Sequence, residues 1–293
     1  MALIVIFWIL SFGGTALTYI FTGLYHDWWW FWTIPLLAMA YFLVCFALWL
    51  IFLYIGGLFV DSDQERIYKP NPFAQWTIRQ TCRVILLLLG VRTHITGLGK
   101  IPEKQPIILI HNHLSVFDEF AIAGFFPKHL IFISKPGNFR IPIAGAWMRY
   151  AGYISIKQDD IANGVEVISL ATDYINKKKR SICVAPEGTR NKDFPNPLLL
   201  PFHAGTFRLA QDSGAPIVIM AIQNTNCIFQ RFPKARTHVY LDVVGIMEKD
   251  EYGSMTTRQV ADKARGMIEK RLEHKEARFY HFRPKKKKEE GAE

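Results

Sequence analysis

Pro106-Ile-Ile-Leu-Ile-His-Asn-His-Leu-Ser-Val-Phe-Asp118 begins as an unbroken apolar run and ends in polar residues. A strand with one face in water alternates apolar and polar side chains. A strand covered on both faces reads as a continuous run, as Ile107–Ile110 does. Similar runs recur at Leu130–Ile133, Tyr153–Ile156, Ile182–Ala185, Ile217–Ile222 and Val239–Val244. Helical patterns separate them. Ile161, Val165, Ile168 and Ile175 follow helical spacing after Asp159-Asp160, a capping pair. Thr256-x-x-Gln259 reads as a capping box ahead of Val260, Ala264, Met267 and Leu272. Strands alternating with helices predict an α/β domain over residues 93–275: a largely parallel mixed sheet flanked by helices.

Upstream the composition changes. Residues 1–60 hold no Lys or Arg and one acid, Asp27, so all 35 basic residues lie beyond residue 60 against 24 acids, and 35 − 24 gives +11. Ala2 to Leu24 is uncharged and long enough to cross a hydrocarbon core of about 30 Å. A cleaved signal peptide would need a basic leader and a shorter apolar stretch. Trp28 to Val60 supplies a second span, with Trp28, Trp29, Trp30 and Trp32 beside the short connector Tyr25-His26-Asp27, where headgroup-level aromatics belong. Residues 1–62 thus read as a two-helix membrane anchor. Arg66 and Lys69 open the basic region, which places the N-terminus and the C-terminal domain on the cytoplasmic side. Within residues 63–92, Phe73 to Leu89 carries Phe73, Trp76, Val84 and Leu87 with Arg79 and Arg83 one turn apart. It reads either as an amphipathic helix on the membrane face, arginines toward phosphates, or as a domain helix packed on the core. Residues 276–293, with the run Lys285–Lys288, form a charged, solvated tail. Cys45, Cys82, Cys183 and Cys227 have no metal-ligand spacing and read as buried thiols.

Open α/β sheets bind ligands beyond the carboxyl ends of their strands. Ser115 can cap a helix following Ile107–Ile110, which puts Asp118 in its first turn and within reach of His113. Such a pair suits general-base chemistry: the carboxylate fixes the imidazole tautomer, and the free nitrogen takes a proton from a hydroxyl. By spacing alone the pair is unspecific, and a surface His beside a capping Asp would look the same. The run Ile182–Ala185 ends in Pro186-Glu187-Gly188-Thr189-Arg190, where a Gly turn, a hydroxyl and a guanidinium could hold a phosphate.

Asn112-His113-x-x-x-x-Asp118, followed by Pro186-Glu187-Gly188-Thr189-Arg190, resembles the glycerolipid and lysophospholipid acyltransferase family, typified by 1-acyl-glycerol-3-phosphate acyltransferase. The resemblance runs from about residue 93 to residue 245. It includes Ser134-Lys135, Pro142, Gly145, Arg149, Gly152 and Ile156, then Phe202, Gly205-Thr206-Phe207 and Ala215-Pro216-Ile217-Val218. It implies that His113 deprotonates an acceptor hydroxyl, which attacks the thioester of acyl-coenzyme A or acyl carrier protein, while Asp118 holds His113. It further implies that Gly188, Thr189 and Arg190 bind the acceptor's phosphate, with Glu187 organising that turn, and that no metal or redox cofactor takes part. In two places the chain departs from the family pattern. Gln158 stands where the family has an Arg on the acceptor phosphate. Lys157 beside it offers a point charge but no bidentate fork. Ile219 replaces a second Pro. The acceptor implied is 1-acyl-glycerol-3-phosphate, giving phosphatidate; Gln158 keeps another lysolipid or an acyl-amino-acid lipid open.

Lys135 reads equally as a cleft residue or a solvated lysine, His111 as packing beside the motif, and His203 as a loop residue. A non-catalytic protein binding anionic membrane lipid would not need both His113 and Asp118. Nucleic-acid binding has only the basic charge in its favour, with no recognition motif.

Overall fold

The structure, a computed structural model, describes residues 2–23, 29–60, 69–157, 160–274 and 279. The connector Tyr25-His26-Asp27, Trp28, Arg66, Gln158, Asp159 and the run Lys285–Lys288 lie outside the described residues.

The predicted runs become strands. β1 (Val91–Thr96), β2 (Ile108–His111), β3 (Leu130–Ser134), β4 (Ile154–Ser155), β5 (Ser181–Val184), β6 (Ile217–Gln223) and β7 (Thr237–Met247) build a seven-stranded sheet. Its order is β1-β7-β6-β2-β5-β3-β4. β6, β2, β5, β3 and β4 run parallel, β7 pairs antiparallel with β6, and β1 is parallel to β7. The sheet is therefore mixed and mostly parallel. Five carboxyl ends share one edge, and there the site is built.

β6 explains why such strands read as unbroken apolar runs. Ile217, Ile219 and Ala221 enter one core, and Val218, Met220 and Ile222 enter the core on the opposite face. Burying each such isoleucine stabilises the fold by about 1.5–3 kcal/mol. The first face is covered by α6 (Ile161–Asn176) and by the C-terminal helix Thr257–Glu273. Asp160 caps α6 by accepting from the Asn163 amide, and Thr256 with Gln259 completes a reciprocal capping box. The opposite face is covered by α3 (Pro72–Leu88) and α4 (Phe117–Phe125), through Leu86, Phe117, Ala121 and Ile122.

α1 (Ala2–Thr22) and α2 (Trp30–Leu58) are both long and apolar enough to cross a membrane. They lie antiparallel, Tyr19 bonding Thr33 near one end and Trp8 packing on Phe42 farther along. At about 1.5 Å per residue, the 29-residue α2 exceeds a ~30 Å hydrocarbon core. Its last turns use the excess to dock on the domain. The indole nitrogen of Trp147, in α5 (Ala144–Tyr150), donates to the Leu53 carbonyl at 2.9 Å. The same ring lies so close to Gly56 that a Cβ there would come within 2.8 Å of it.

α3 corrects one expectation. Arg79 and Arg83 do not point outward to phosphates. Arg79 donates to the carbonyls of Ala123, Phe126 and Lys128, and Arg83 to that of Gly124 at 2.6 Å. Both guanidinium groups thus satisfy the carbonyl end of α4, where a cation complements the helix dipole. The face left uncovered carries Phe73, Leu87 and Leu88. β1 begins at Val91, so the domain starts two residues inside the segment read as an interfacial helix. Of the cysteines, Cys82, Cys183 and Cys227 are buried, Cys45 is half-buried, and all four are free thiols.

Candidate active site

β2 ends at His111, and the chain turns through Asn112 and His113 into α4. Asn112 fixes the exit. Its buried side chain accepts from the Ile222 amide at 2.7 Å and donates to the Ile222 carbonyl at 3.1 Å, mimicking one more rung of strand pairing with β6. Val116, not Ser115, stands at the N-cap of α4; the Ser115 hydroxyl, one residue earlier, accepts from the Phe117 amide at 3.2 Å, and Asp118 falls in the first helical turn.

Asp118 has no exposed surface. Its Oδ2 accepts from His113 Nδ1 at 2.9 Å and from the amides of Leu114 and Ser115 at 2.7 and 2.9 Å. Its Oδ1 accepts from the Thr225 hydroxyl, which follows the carboxyl end of β6. Four donors leave this buried carboxylate no unmet acceptor and no freedom to turn. With Nδ1 donating, His113 keeps Nε2 as a proton acceptor; this tautomer follows from the hydrogen-bond pattern.

Burial works against a charged His113. The Asp118 hydrogen bond and the charges of Glu119, Asp118 and Glu187 outweigh it, so the imidazole pKa lies above its ordinary 6.5. His111 is the opposite case. Burial lowers its pKa to about 4, and its Nδ1 lies 2.8 Å from the Asn112 carbonyl, so it stays a neutral packing residue.

β5 neighbours β2 and delivers the second predicted segment. The Gly188 amide bonds the Ala185 carbonyl, and Gly188 has φ of 67°, a left-handed conformation that glycine adopts without the Cβ penalty. Glu187, expected to organise this turn, points its side chain inward. It is 3% exposed, its Oε1 accepts from the His113 amide at 2.9 Å, and its Oε2 accepts from the Leu200 amide at 3.0 Å. Both oxygens are thus spent inside the protein, tying the turn to the His113 segment. Burial pushes its pKa up to about 7 despite those two bonds. Asn191 completes the tie, its amide donating to the His113 carbonyl at 2.8 Å.

Thr189 and Arg190 are exposed, and among the described residues neither side chain makes a hydrogen bond. Arg190 is near enough to Glu119 to lower that carboxyl's pKa, which places the guanidinium toward the cleft. Lys135 follows β3 and Lys157 follows β4, both exposed. At roughly 4.8 Å per strand, they sit about two and three strands from His113 along the same edge. All the predicted residues therefore lie on one edge, with the His113, Asp118 and Glu187–Arg190 cluster at its centre and the two lysines at its flank.

Residues 92–223 match the family model described as Acyltransferase. Over those residues the chain resembles the acyltransferase family. The chain is 31% identical over 157 residues to the 1-acyl-sn-glycerol-3-phosphate acyltransferase of Saccharomyces cerevisiae, covering 53% of this chain and 51% of that one. It is 32% identical over 178 residues to the chloroplastic 1-acyl-sn-glycerol-3-phosphate acyltransferase BAT2 of Brassica napus, covering 60% and 50%. The chain thus spans about half the length of these relatives. The crystal structure of the 1-acyl-sn-glycerophosphate acyltransferase PlsC from Thermotoga maritima shares the fold. Its TM-score is 0.56 at 22% identity, over 78% of this chain and 89% of that one.

The sequence reading missed Thr225, Asn191 and Glu119. The run Asn224-Thr225-Asn226 did carry a signal: three polar residues directly after a fully buried strand, at the edge where ligands bind.

Proposed function

We propose that this acyltransferase moves a fatty acyl group from acyl-coenzyme A or acyl carrier protein to the free hydroxyl of 1-acyl-glycerol-3-phosphate, giving phosphatidate. The observation that carries the reading is the His113–Asp118 pair, at 2.9 Å and fixed from four directions, beside a turn with an exposed guanidinium. His113 Nε2 takes the hydroxyl proton as the oxygen attacks the thioester carbonyl. The C–S bond then breaks, and the proton passes from the imidazolium to the departing thiolate. Asp118 holds the ring and stabilises the imidazolium. Arg190 and Thr189 receive the acceptor's phosphate, and Lys157 and Lys135 add positive charge at the flank. The names of the relatives support the acceptor. α1 and α2 act as a membrane anchor with the N-terminus and the domain on the cytoplasmic face, where both substrates partition into or beside lipid.

Turnover of the purified full chain, with each donor offered against a panel of lysolipids, tests this reading. The expected product is phosphatidate, made from 1-acyl-glycerol-3-phosphate in preference to lysolipids with larger headgroups. No acylation of any lysolipid would overturn the reaction. Preference for another acceptor would overturn the substrate and favour the alternative that Gln158 raises, another lysolipid or an acyl-amino-acid lipid.

A further inference from the structure

His113 faces two carboxylates on the first turn of α4. Asp118 is hydrogen-bonded to it. Glu119 Oε1 lies 3.7 Å from the same Nδ1, too far for a hydrogen bond but close enough for its charge to act through space. The two carboxylates are not equivalent. Asp118 is fixed by two amides, a hydroxyl and the imidazole, and it acts on His113 chiefly through that last hydrogen bond. The Glu119 side chain accepts no such set of bonds, is 37% exposed and looks across the cleft toward Arg190. We propose that Glu119 is a positioning residue: the carboxylate that, by its charge beside Nδ1, favours the imidazolium of His113, while leaving the capture of the acceptor's phosphate to Arg190.

Among the through-space charges on the imidazole, that of Glu119 comes first, ahead of Asp118 and Glu187. Glu187 bonds only the backbone amide of His113, and His111, perpendicular to it at 6.3 Å between ring centroids, stays neutral. Desolvation in the cleft and the nearby Asp118 raise the Glu119 pKa to about 7, while His113 and Arg190 pull it down. His113 and Glu119 therefore titrate as a pair.

This inference rests on His113 as the base, but it can be tested without turnover. The His113 imidazole, observed by NMR in the full chain with His113→Gln assigning the resonance, should titrate at lower pH in Glu119→Gln than in the native protein. The protonation constant should fall about two- to fivefold, the range of a partly exposed charge pair. Glu119→Asp, which keeps the charge, should stay closer to native. In assays, Glu119→Gln should lower kcat without raising KM for a phosphorylated acceptor. An unchanged titration in Glu119→Gln, or an equal fall in both variants, would overturn the role. If Glu119→Gln fails to fold, salt decides on the native protein. Raising ionic strength should lower the His113 midpoint, because the half-exposed Glu119 is screened and buried Asp118 is not; a midpoint insensitive to salt would overturn it. A chain inactive on every lysolipid would refute the acyl-transfer reading and leave this titration fully informative.

Discussion

The two halves of the cleft are built on opposite principles. On the β2–α4 side, Asp118 is wholly buried with four donors, and Asn112 is locked to β6 by a pair of bonds. On the β5 side, Thr189 and Arg190 are exposed and make no hydrogen bond among the described residues. A general base must be oriented before the substrate arrives, because misplacement costs rate directly. A phosphate receptor must keep its donors available, because any internal bond would have to be broken on binding. Glu187 joins the halves, itself buried and spent on the backbone of each.

That contrast sets the order of effects. The largest belongs to the locked side. Asp118→Ala would remove the acceptor that fixes the imidazole tautomer and the charge beside the imidazolium; kcat should fall by about 10⁴, the scale seen when a serine-protease triad loses its Asp. Steady-state kinetics on folded protein checks this, and a loss under tenfold would break the account of Asp118. On the open side, Arg190→Ala should raise KM for a phosphorylated acceptor about 10- to 100-fold, the worth of a charge-assisted hydrogen bond of about 1.5–3 kcal/mol, with kcat little changed. If kcat fell instead, the two halves would not be separable. At the joint, Glu187→Gln leaves one N–H donor facing an amide NH₂. Denaturant unfolding should show a loss of about 1–3 kcal/mol, accompanied by reduced kcat because the His113 backbone moves.

The pH profile sharpens the same contrast. In the proposed mechanism His113 works as a base only when neutral, and its pKa is raised above 6.5. The kcat/KM profile should therefore rise with pH through a midpoint above 6.5 and be lost as pH falls through it. A midpoint below 6.5 would mean that burial outweighs the surrounding carboxylates. The smallest effect lies farthest from the chemistry: Arg83→Met, removing a donor to the Gly124 carbonyl, should cost about 1–2 kcal/mol of stability in the same unfolding assay.

Much of this was legible from the chain. Strands covered on both faces must be apolar throughout, so β2, β3, β5 and β6 announced themselves. Capping at Asp160 and Thr256 is local chemistry that a short window contains. β1 was not legible as a strand, because Val-Arg-Thr-His-Ile-Thr lies at the sheet edge and leaves alternate residues in water. Arg79 and Arg83 misled for a related reason: an amphipathic pattern gives the direction of a helix's apolar face but not what its arginines meet. Thr225 reaches Asp118 across 107 residues of sequence, and only the β2–β6 pairing brings them together. The motif spacing suggested the His113–Asp118 contact. The four bonds that make the contact rigid come from two separate segments, residues 113–115 and Thr225.

The most direct test of the central claim is single-turnover acyl transfer by His113→Ala beside the native enzyme, with acyl-coenzyme A or acyl carrier protein and 1-acyl-glycerol-3-phosphate. Loss of a positioned base predicts a fall of at least about 10²–10⁴ in the rate of phosphatidate formation, with substrate binding retained. A folded His113→Ala protein that forms phosphatidate at the native rate would contradict it.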